Sequence, residues 1–184
     1  MRARSRRSAC SSGVVDLRIR RRHAQEVGRT ALIVPVPEAE PLVSSVRLRY
    51  DSSASLGVPA HVTVLSPFQD GSDVEEAELT ELFGAVESFD FVLDRVERFR
   101  EGVVWLHPEP SQPFAELTEA VWRRWPDWPP YEGVFGVVIP HLTVSETPID
   151  FALDAPISAR ARWVTLLERS ATGRWAARSR FKLR

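Results

Sequence analysis

Residues 59–64 of this 184-residue chain read Pro-Ala-His-Val-Thr-Val, and residues 140–144 read Pro-His-Leu-Thr-Val. Both stretches place a histidine two positions before a threonine, and an apolar residue follows each of these polar residues. Side chains alternate between the two faces of a β-strand. Each stretch therefore predicts a strand with an imidazole and a hydroxyl on one face and two apolar side chains on the other, buried face.

The two copies together offer four polar groups, which are the candidate site residues His61, Thr63, His141 and Thr143. Within one strand the imidazole and the hydroxyl lie about 6.6 Å apart along the chain. The chain has only eight Thr and four His, so a repeated His-x-Thr pattern is uncommon by chance. The alternative is that both histidines are structural and hydrogen bond only within the fold.

Strand patterns outnumber helix patterns around these two copies. Apolar alternation, turn residues and prolines predict strands at 31–36, 61–65, 89–99, 103–106, 141–144, 162–169 and 175–183. Helical spacing predicts helices at 38–50, 73–87 and 112–125, and residues 51–55 read as a loop. Hairpins at 100–102 and 171–173 favour antiparallel pairing, so the fold class expected is α+β with largely antiparallel sheets.

Two helix faces are predicted from spacing. In the helix at 73–87, the residues expected to face the core are Val74, Ala77, Leu79, Leu82, Phe83 and Val86. In and after the helix at 112–125, Trp122, Trp125 and Trp128 read as its apolar face and cap. Phe68, Trp128 and Tyr131 are also candidates for stacking on a nucleobase if they border a cleft.

The first 29 residues differ in charge from the rest of the chain. They hold nine Arg against two acidic residues, a net charge of +7, whereas residues 30–184 carry −8. Their Arg- and Ser-rich sequence predicts a mostly disordered tail with, at most, a short helix at 15–22, and it lacks the apolar core of a secretory signal.

We expect one domain at 30–184, no membrane span, and a cytoplasmic monomer. The single cysteine, Cys10, excludes a disulfide within the monomer.

The paired motifs, their separation of 80 residues and the β-rich elements around them resemble the 2H phosphoesterase superfamily, specifically its bacterial 2′-5′ RNA ligase and cyclic-phosphodiesterase group. The resemblance covers residues 30–184. It implies a bilobal fold with pseudo-twofold symmetry, two β-sheets around a central cleft, and one motif from each lobe. It also implies metal-independent chemistry, without a cofactor, on RNA ends or nucleotides that carry a 2′,3′-cyclic phosphate or a 2′-5′ phosphodiester bond.

Elementary chemistry assigns compatible roles to the same four residues. In-line displacement at phosphorus needs a base on the attacking oxygen and an acid on the leaving oxygen, and histidine performs either role near neutral pH. His61 and His141 meet that need from two strands. The hydroxyls of Thr63 and Thr143 are donors for the non-bridging oxygens as charge develops on them. Which histidine is the base stays open, because the reverse reaction exchanges the roles.

Other readings of the polar residues are weaker. A zinc site needs a third ligand, and neither an H-E-x-x-H motif nor a cysteine partner accompanies the histidines. Ser66 and Ser145 lack the flanking glycines of a nucleophile elbow, and His107 and His23 read as structural or solvated. The second class of function is a non-catalytic RNA- or nucleotide-binding module on the same fold. The net negative charge of residues 30–184 disfavours binding of a long duplex. The sequence alone does not assign an arginine to substrate binding.

Overall fold

The computed structural model describes residues 27–134 and 137–184. The strands in this part of the chain are β1 (Thr30–Pro35), β2 (His61–Leu65), β3 (Phe89–Arg98), β4 (Val104–Glu109), β5 (Leu142–Ser145), β6 (Ile157–Ala161), β7 (Trp163–Arg169) and β8 (Trp175–Lys182). The helices are α1 (Glu40–Tyr50), α2 (Ser52–Ser55), α3 (Glu76–Gly84) and α4 (Gln112–Arg124). None of the helices in this part is long and apolar enough to span a membrane.

The strands form two four-stranded antiparallel sheets, with orders β2-β1-β7-β8 and β5-β4-β3-β6. The predicted α+β architecture of two antiparallel sheets is confirmed. The first two strands of the two orders correspond. Each sheet has a His-x-Thr strand at one edge, and the next strand in the sheet is the one that precedes it in the chain, with a helix between them. The edge strands β2 and β5 contact each other. The chain passes from the second sheet to the first between β6 and β7 through one residue, Arg162.

The two lobes exchange helices. Helix α1 precedes β2 in sequence but packs against β5, and α4 precedes β5 but packs against β2. The Thr118 hydroxyl on α4 donates to the Val64 carbonyl on β2 at 2.7 Å. The backbone N–H of Glu146, just after β5, donates to the carbonyl of Tyr50 at the end of α1 at 2.8 Å. Each histidine strand is thus supported by a helix from the other half of the chain.

One hydrophobic core runs through both lobes. The alternation predicted for the two motifs is present, since residues 62 and 64 and residues 142 and 144 are buried while the His and Thr between them are partly exposed. These apolar side chains join a single cluster with residues from both sheets and from α1, α3 and α4. On α4, Phe114 packs edge-on against Phe91 of β3 with ring centroids 4.9 Å apart. Because one face of each sheet is buried in this core, the other face, which carries the His and Thr residues, is directed toward the cleft.

Some elements differ from the sequence-based expectation. The structure adds strand β6, which was not predicted, and it has helix α2 where residues 51–55 were expected to be a loop. The Asp51 side chain accepts a hydrogen bond from the Ser53 N–H and caps α2. The helix predicted at 73–87 is shorter, because a 3₁₀ turn at Gly71–Asp73 precedes α3.

Two side chains expected in the core are exposed. Ala77 lies on the solvent face of α3, and Trp122 on α4 is 46% exposed, whereas Trp125 and Trp128 pack against the core. Phe68 is fully buried against Trp125, at a centroid distance of 5.4 Å, and so does not border the cleft.

The predictions for the tail and its short helix fall on residues 1–26 and lie outside the described residues, whereas Gly28 and Arg29 already hydrogen bond with β7.

Candidate active site

The two motif histidines lie on the two edge strands that contact each other. His61 is the first residue of β2, and His141 immediately precedes β5. Register places the His61 side chain on the same sheet face as its partner Pro35 on β1, and places Thr63 beside Ile33. The charge of His141 acts on the His61 ring, so the structure brings together the imidazoles that the sequence separates by 80 residues.

Both histidines make the same local hydrogen bond. The Nδ1 atom of His61 lies 2.7 Å from the carbonyl oxygen of Pro59, and the Nδ1 atom of His141 lies 2.6 Å from the carbonyl oxygen of Ile139. A carbonyl oxygen only accepts, so Nδ1 carries the proton in each ring. In each neutral ring the lone pair is therefore on Nε2, the nitrogen available to a substrate proton.

Burial shifts both imidazoles toward the neutral form. The pKa of His61 falls from 6.5 to about 4, mainly because burial disfavours the cation, and the charges of Arg47 and His141 lower it further. The carbonyl of Pro59 and the charge of Asp51 oppose that shift. Burial also lowers the pKa of His141. Burial therefore favours the neutral form of both rings in the ligand-free protein.

Tyr131 is a member of the site whose contact the sequence did not predict. Its hydroxyl hydrogen bonds with the Thr63 side chain, and burial raises its pKa. Its backbone N–H donates to the carbonyl of Ser66 at 2.9 Å, and its φ of 51° places it in the left-handed region. A non-glycine residue held there is strained. The segment after α4 is thus held over β2, with a second hydroxyl beside Thr63.

Aromatic side chains surround the second histidine. Phe99 and Trp105 stack on each other at 4.9 Å and meet the His141 ring nearly edge-on, at centroid distances of 5.1 and 5.7 Å. Trp105 pairs in register with Thr143, so the two share the cleft face of the second sheet. Its indole Nε1 is buried and has no hydrogen-bond partner among the described residues. The contacts with Phe99 and Trp105 restrict the orientation of the His141 imidazole.

His107 lies on the same strand face as Trp105, with ring centroids 5.9 Å apart. Its Nε2 is 3.4 Å from a carboxylate oxygen of Glu109, and its side chain is 19% exposed. The third histidine is therefore engaged with its own strand. The alternation of Phe99, Trp105 and His107 along the predicted hairpin was the available signal for an aromatic wall here.

A buried ion pair supports the segment that leads to His61. The guanidinium of Arg47 on α1 bonds to the Asp51 carboxylate at 2.9 and 3.0 Å, and these residues are 2% and 4% exposed. Arg47 also donates to the carbonyl of Val58 at 3.4 Å. The Asp51 carboxylate accepts from the N–H and hydroxyl of Ser53. The pair ties α1 to residues 51–58 and sets where β2 begins.

A groove of about 540 Å³ continues from the first histidine strand across the first sheet. Pro35 and Pro59 border its near end, beside His61. We call it the basic groove, because its lining also includes Arg160, Arg162, Trp163, Thr165 and Arg180. Trp163 is 42% exposed. Space for a substrate larger than one phosphate therefore lies beside the strand that carries His61.

Other candidate chemistries find less support in this part of the chain. Within residues 27–134 and 137–184, no three His, Cys, Asp or Glu side chains gather closely enough to hold a metal ion. Ser145 is fully buried, and its hydroxyl donates to the carbonyl of Thr147 at 2.7 Å. That hydroxyl is committed to the turn after β5, whereas the candidate histidines and threonines face the cleft.

Comparison with known proteins agrees with this arrangement. The sequence model of the 2′-5′ RNA ligase superfamily matches residues 35–172, three quarters of the chain. No curated protein sequence matches. Among solved structures, Escherichia coli LigT complexed with NADP⁺ aligns with a TM-score of 0.58 and 20% identity, covering 86% of this chain and 99% of LigT. LigT complexed with 3′-AMP gives a TM-score of 0.57 at 20% identity, covering 86% and 99% of the respective chains.

A similar structure comes from a second organism. The protein TT0787 of Thermus thermophilus aligns with a TM-score of 0.57 and 17% identity, covering 85% of this chain and 98% of that one. Nearly the whole length of these proteins is therefore represented here. The similarity confirms the predicted bilobal fold of two antiparallel sheets around a cleft.

Proposed function

The chain belongs to the 2′-5′ RNA ligase superfamily of 2H phosphoesterases, and from that premise we propose that it hydrolyses 2′,3′-cyclic phosphates on RNA ends or nucleotides. The same displacement, with a ribose 5′-hydroxyl in place of water as the nucleophile, would join such an end through a 2′-5′ bond and release the 3′-hydroxyl. Superfamily membership supports an enzyme of the phosphoesterase and ligase class. The structures of LigT with 3′-AMP and with ATP support a nucleotide-sized ligand. A cytoplasmic location and a monomeric state stay predictions.

One observation carries the proposal. Two contacting edge strands each present a histidine whose Nδ1–H is bound to the carbonyl two residues earlier, which leaves both Nε2 atoms available to a substrate. A single imidazole serves either the attacking or the leaving oxygen, whereas in-line displacement needs both served at once. The paired arrangement supports acid and base catalysis at one phosphorus.

The difference in environment between the rings supports a division of roles. His61, with its pKa of about 4, stays neutral and accepts the proton of the attacking water. Protonated His141 donates its proton to the leaving ribose oxygen as the P–O bond breaks. Thr63 and Thr143 donate hydroxyl hydrogen bonds to the non-bridging oxygens, where each contributes about 2–4 kcal/mol in comparable sites. The product is an acyclic ribose phosphate.

The first experiment measures hydrolysis of nucleoside 2′,3′-cyclic monophosphates in EDTA by the wild type and by the variants His61→Ala and His141→Ala. Each variant is expected to lose at least about 10³-fold in kcat, because one of the two proton transfers then lacks its partner. Circular dichroism and urea unfolding of both variants show whether the fold persists.

The matched control is His107→Ala, which removes the third imidazole of the cleft region. It is expected to change kcat by only a few fold, because His107 already pairs with Glu109. A loss equal to that of the other two variants would contradict the site assignment. If the wild type hydrolyses none of these substrates, the alternative of a non-catalytic RNA- or nucleotide-binding module replaces the proposed function.

A further inference from the structure

The basic groove offers charged and polar groups that the proposed catalysis does not use. The guanidinium groups of Arg162 and Arg180 make no ion pair or hydrogen bond with the described residues, although both line the groove. By contrast, Arg160 is held by Asp90 at 3.0 Å and by the Ser88 hydroxyl at 2.9 Å. The side chains of Arg162 and Arg180 are thus two cations available to a ligand in the groove.

A buried hydroxyl lies between these arginines and the catalytic strand. Thr165 is 2% exposed, and its Oγ1 has no hydrogen-bond partner within the described residues. Leaving a buried hydroxyl unpaired costs free energy. Thr165 also lines the groove. A ligand oxygen at this point would satisfy a group that the protein leaves unpaired.

Strand register gives the distances of the groove residues from Thr63. Thr63, Ile33, Thr165 and Arg180 form one row across β2, β1, β7 and β8, with their side chains on the same face. Neighbouring strands lie about 4.8 Å apart, so the Cα atoms of Thr165 and Arg180 are roughly 10 and 14 Å from that of Thr63. Arginine side chains reach back several ångströms, which brings a second phosphate of a bound nucleotide within their range.

Two glutamates in the lining limit what else the groove accepts. Glu38 and Glu40 also line it, and a carboxylate oxygen of Glu40 accepts the Ala60 N–H at 2.6 Å. Three arginines against two glutamates leave a small positive excess on the groove as a whole. The turn that carries Glu38 contacts β6, so its carboxylate opposes an anion near Arg160 and Arg162. Thr165 and Arg180 lie on β7 and β8.

We propose that Arg162, Arg180 and Thr165 form a subsite for a second phosphate, so that the enzyme prefers cyclic phosphates whose nucleoside also carries a 5′-phosphate or continues as RNA. The inference rests on the proposed function, because it places the reacting phosphate at the histidines. Arginine forms charge-assisted, often bidentate bonds with phosphate oxygens. Adding a 5′-phosphate is therefore expected to raise kcat/KM about tenfold or more.

The test compares adenosine 2′,3′-cyclic phosphate with its 5′-phosphorylated form, and the measured quantity is the ratio of the two kcat/KM values. In the double variant Arg162→Gln/Arg180→Gln this ratio is expected to fall toward one, through a larger KM for the 5′-phosphorylated substrate. Thr165→Val is expected to lower it less. That variant removes an unpaired hydroxyl, so it loses no hydrogen bond of the folded protein.

Arg123→Gln is the matched control, because Arg123 is an exposed arginine on α4 outside the groove. It is expected to keep the wild-type ratio. A wild-type ratio near one, or an undiminished ratio in the double variant, overturns the subsite while leaving the proposed hydrolysis intact.

A binding measurement separates the two proposals if no turnover is found. Calorimetry compares adenosine 3′-phosphate with adenosine 3′,5′-bisphosphate on the wild type and the double variant. Tighter binding of the bisphosphate that the double variant loses supports the subsite even where hydrolysis fails. Equal binding of both ligands to the wild type overturns it.

Discussion

At the scale of single residues, the site depends on two imidazoles with the same hydrogen bond and different surroundings. Pro59 and Ile139 each supply the carbonyl that fixes one ring, so the two Nε2 atoms are equivalent in bonding. The pKa of His61 is nonetheless lowered to about 4, mainly by burial, with contributions from the nearby Arg47 and from His141 itself. In the proposed mechanism, this difference makes one histidine of a symmetric pair the base and the other the acid.

The pKa values predict the pH dependence of kcat/KM, which reports ionisations of the free enzyme. Below about pH 4, His61 is protonated and the base is lost. Above the pKa of His141, which burial holds below 6.5, the acid is lost. A bell-shaped profile with its optimum on the acidic side of 6.5 is expected when rates on a cyclic nucleotide are measured from about pH 3 to 9. A single limb that rises to a plateau above neutral pH would contradict the two-histidine scheme.

The sequence predicts the four polar residues of the motifs as site residues because their spacing is local and repeats. It did not find the bond of Tyr131 to Thr63, which depends on a left-handed residue 68 positions further along the chain. No periodic pattern marks such a contact. Trp105 was likewise missed as a neighbour of His141, since cross-strand pairing and not chain spacing brings the two rings together.

At the scale of elements, helix α1 supports the segment that leads into β2 through a buried charge pair. Replacing Arg47 by Met leaves the Asp51 carboxylate buried without its cation, which is expected to lower the free energy of unfolding by about 3–5 kcal/mol. Urea unfolding measures the loss, and Arg47→Met/Asp51→Leu is expected to recover part of it.

The exposed pair of Arg123 and Glu119 on α4, at 3.7 Å, provides the comparison. Arg123→Met is expected to change the free energy of unfolding by about 1 kcal/mol or less, because solvent screens exposed ion pairs. Equal effects of Arg47→Met and Arg123→Met would show that the buried pair does not carry the support assigned to it.

The elements that sequence missed are those whose signals are short. Strand β6 alternates buried Ile157, Ala159 and Ala161 with exposed residues, but small alanines give little apolar contrast. Its place at the edge of the second sheet beside β3 is a tertiary pairing. Helix α2 forms over four polar and small residues because Asp51 caps it. Longer elements with strong periodicity, such as α4 and the hairpin of β3 and β4, were predicted within a few residues.

At the scale of the whole molecule, the exchanged helices make the two lobes one folding unit. The buried apolar residues form a main cluster that includes both sheets, and each histidine strand is covered by a helix of the other half. Thermal unfolding is therefore expected to be a single cooperative transition, with equal calorimetric and van't Hoff enthalpies. Differential scanning calorimetry of the full chain checks this, and two resolved transitions would mean that the lobes unfold separately.

The one-residue connection at Arg162 also bears on how a ligand enters the cleft. The second sheet is joined to the first by Arg162 between β6 and β7, and it touches the first sheet again through β5 and β2, so the two sheets are linked at two places. We therefore expect a ligand to enter a preformed cleft, in which case its affinity is not reduced by a rarely populated closed state. If the proposed subsite is correct, rigid bisphosphates whose phosphates span the distance from the histidines to Arg180 are expected to inhibit the enzyme.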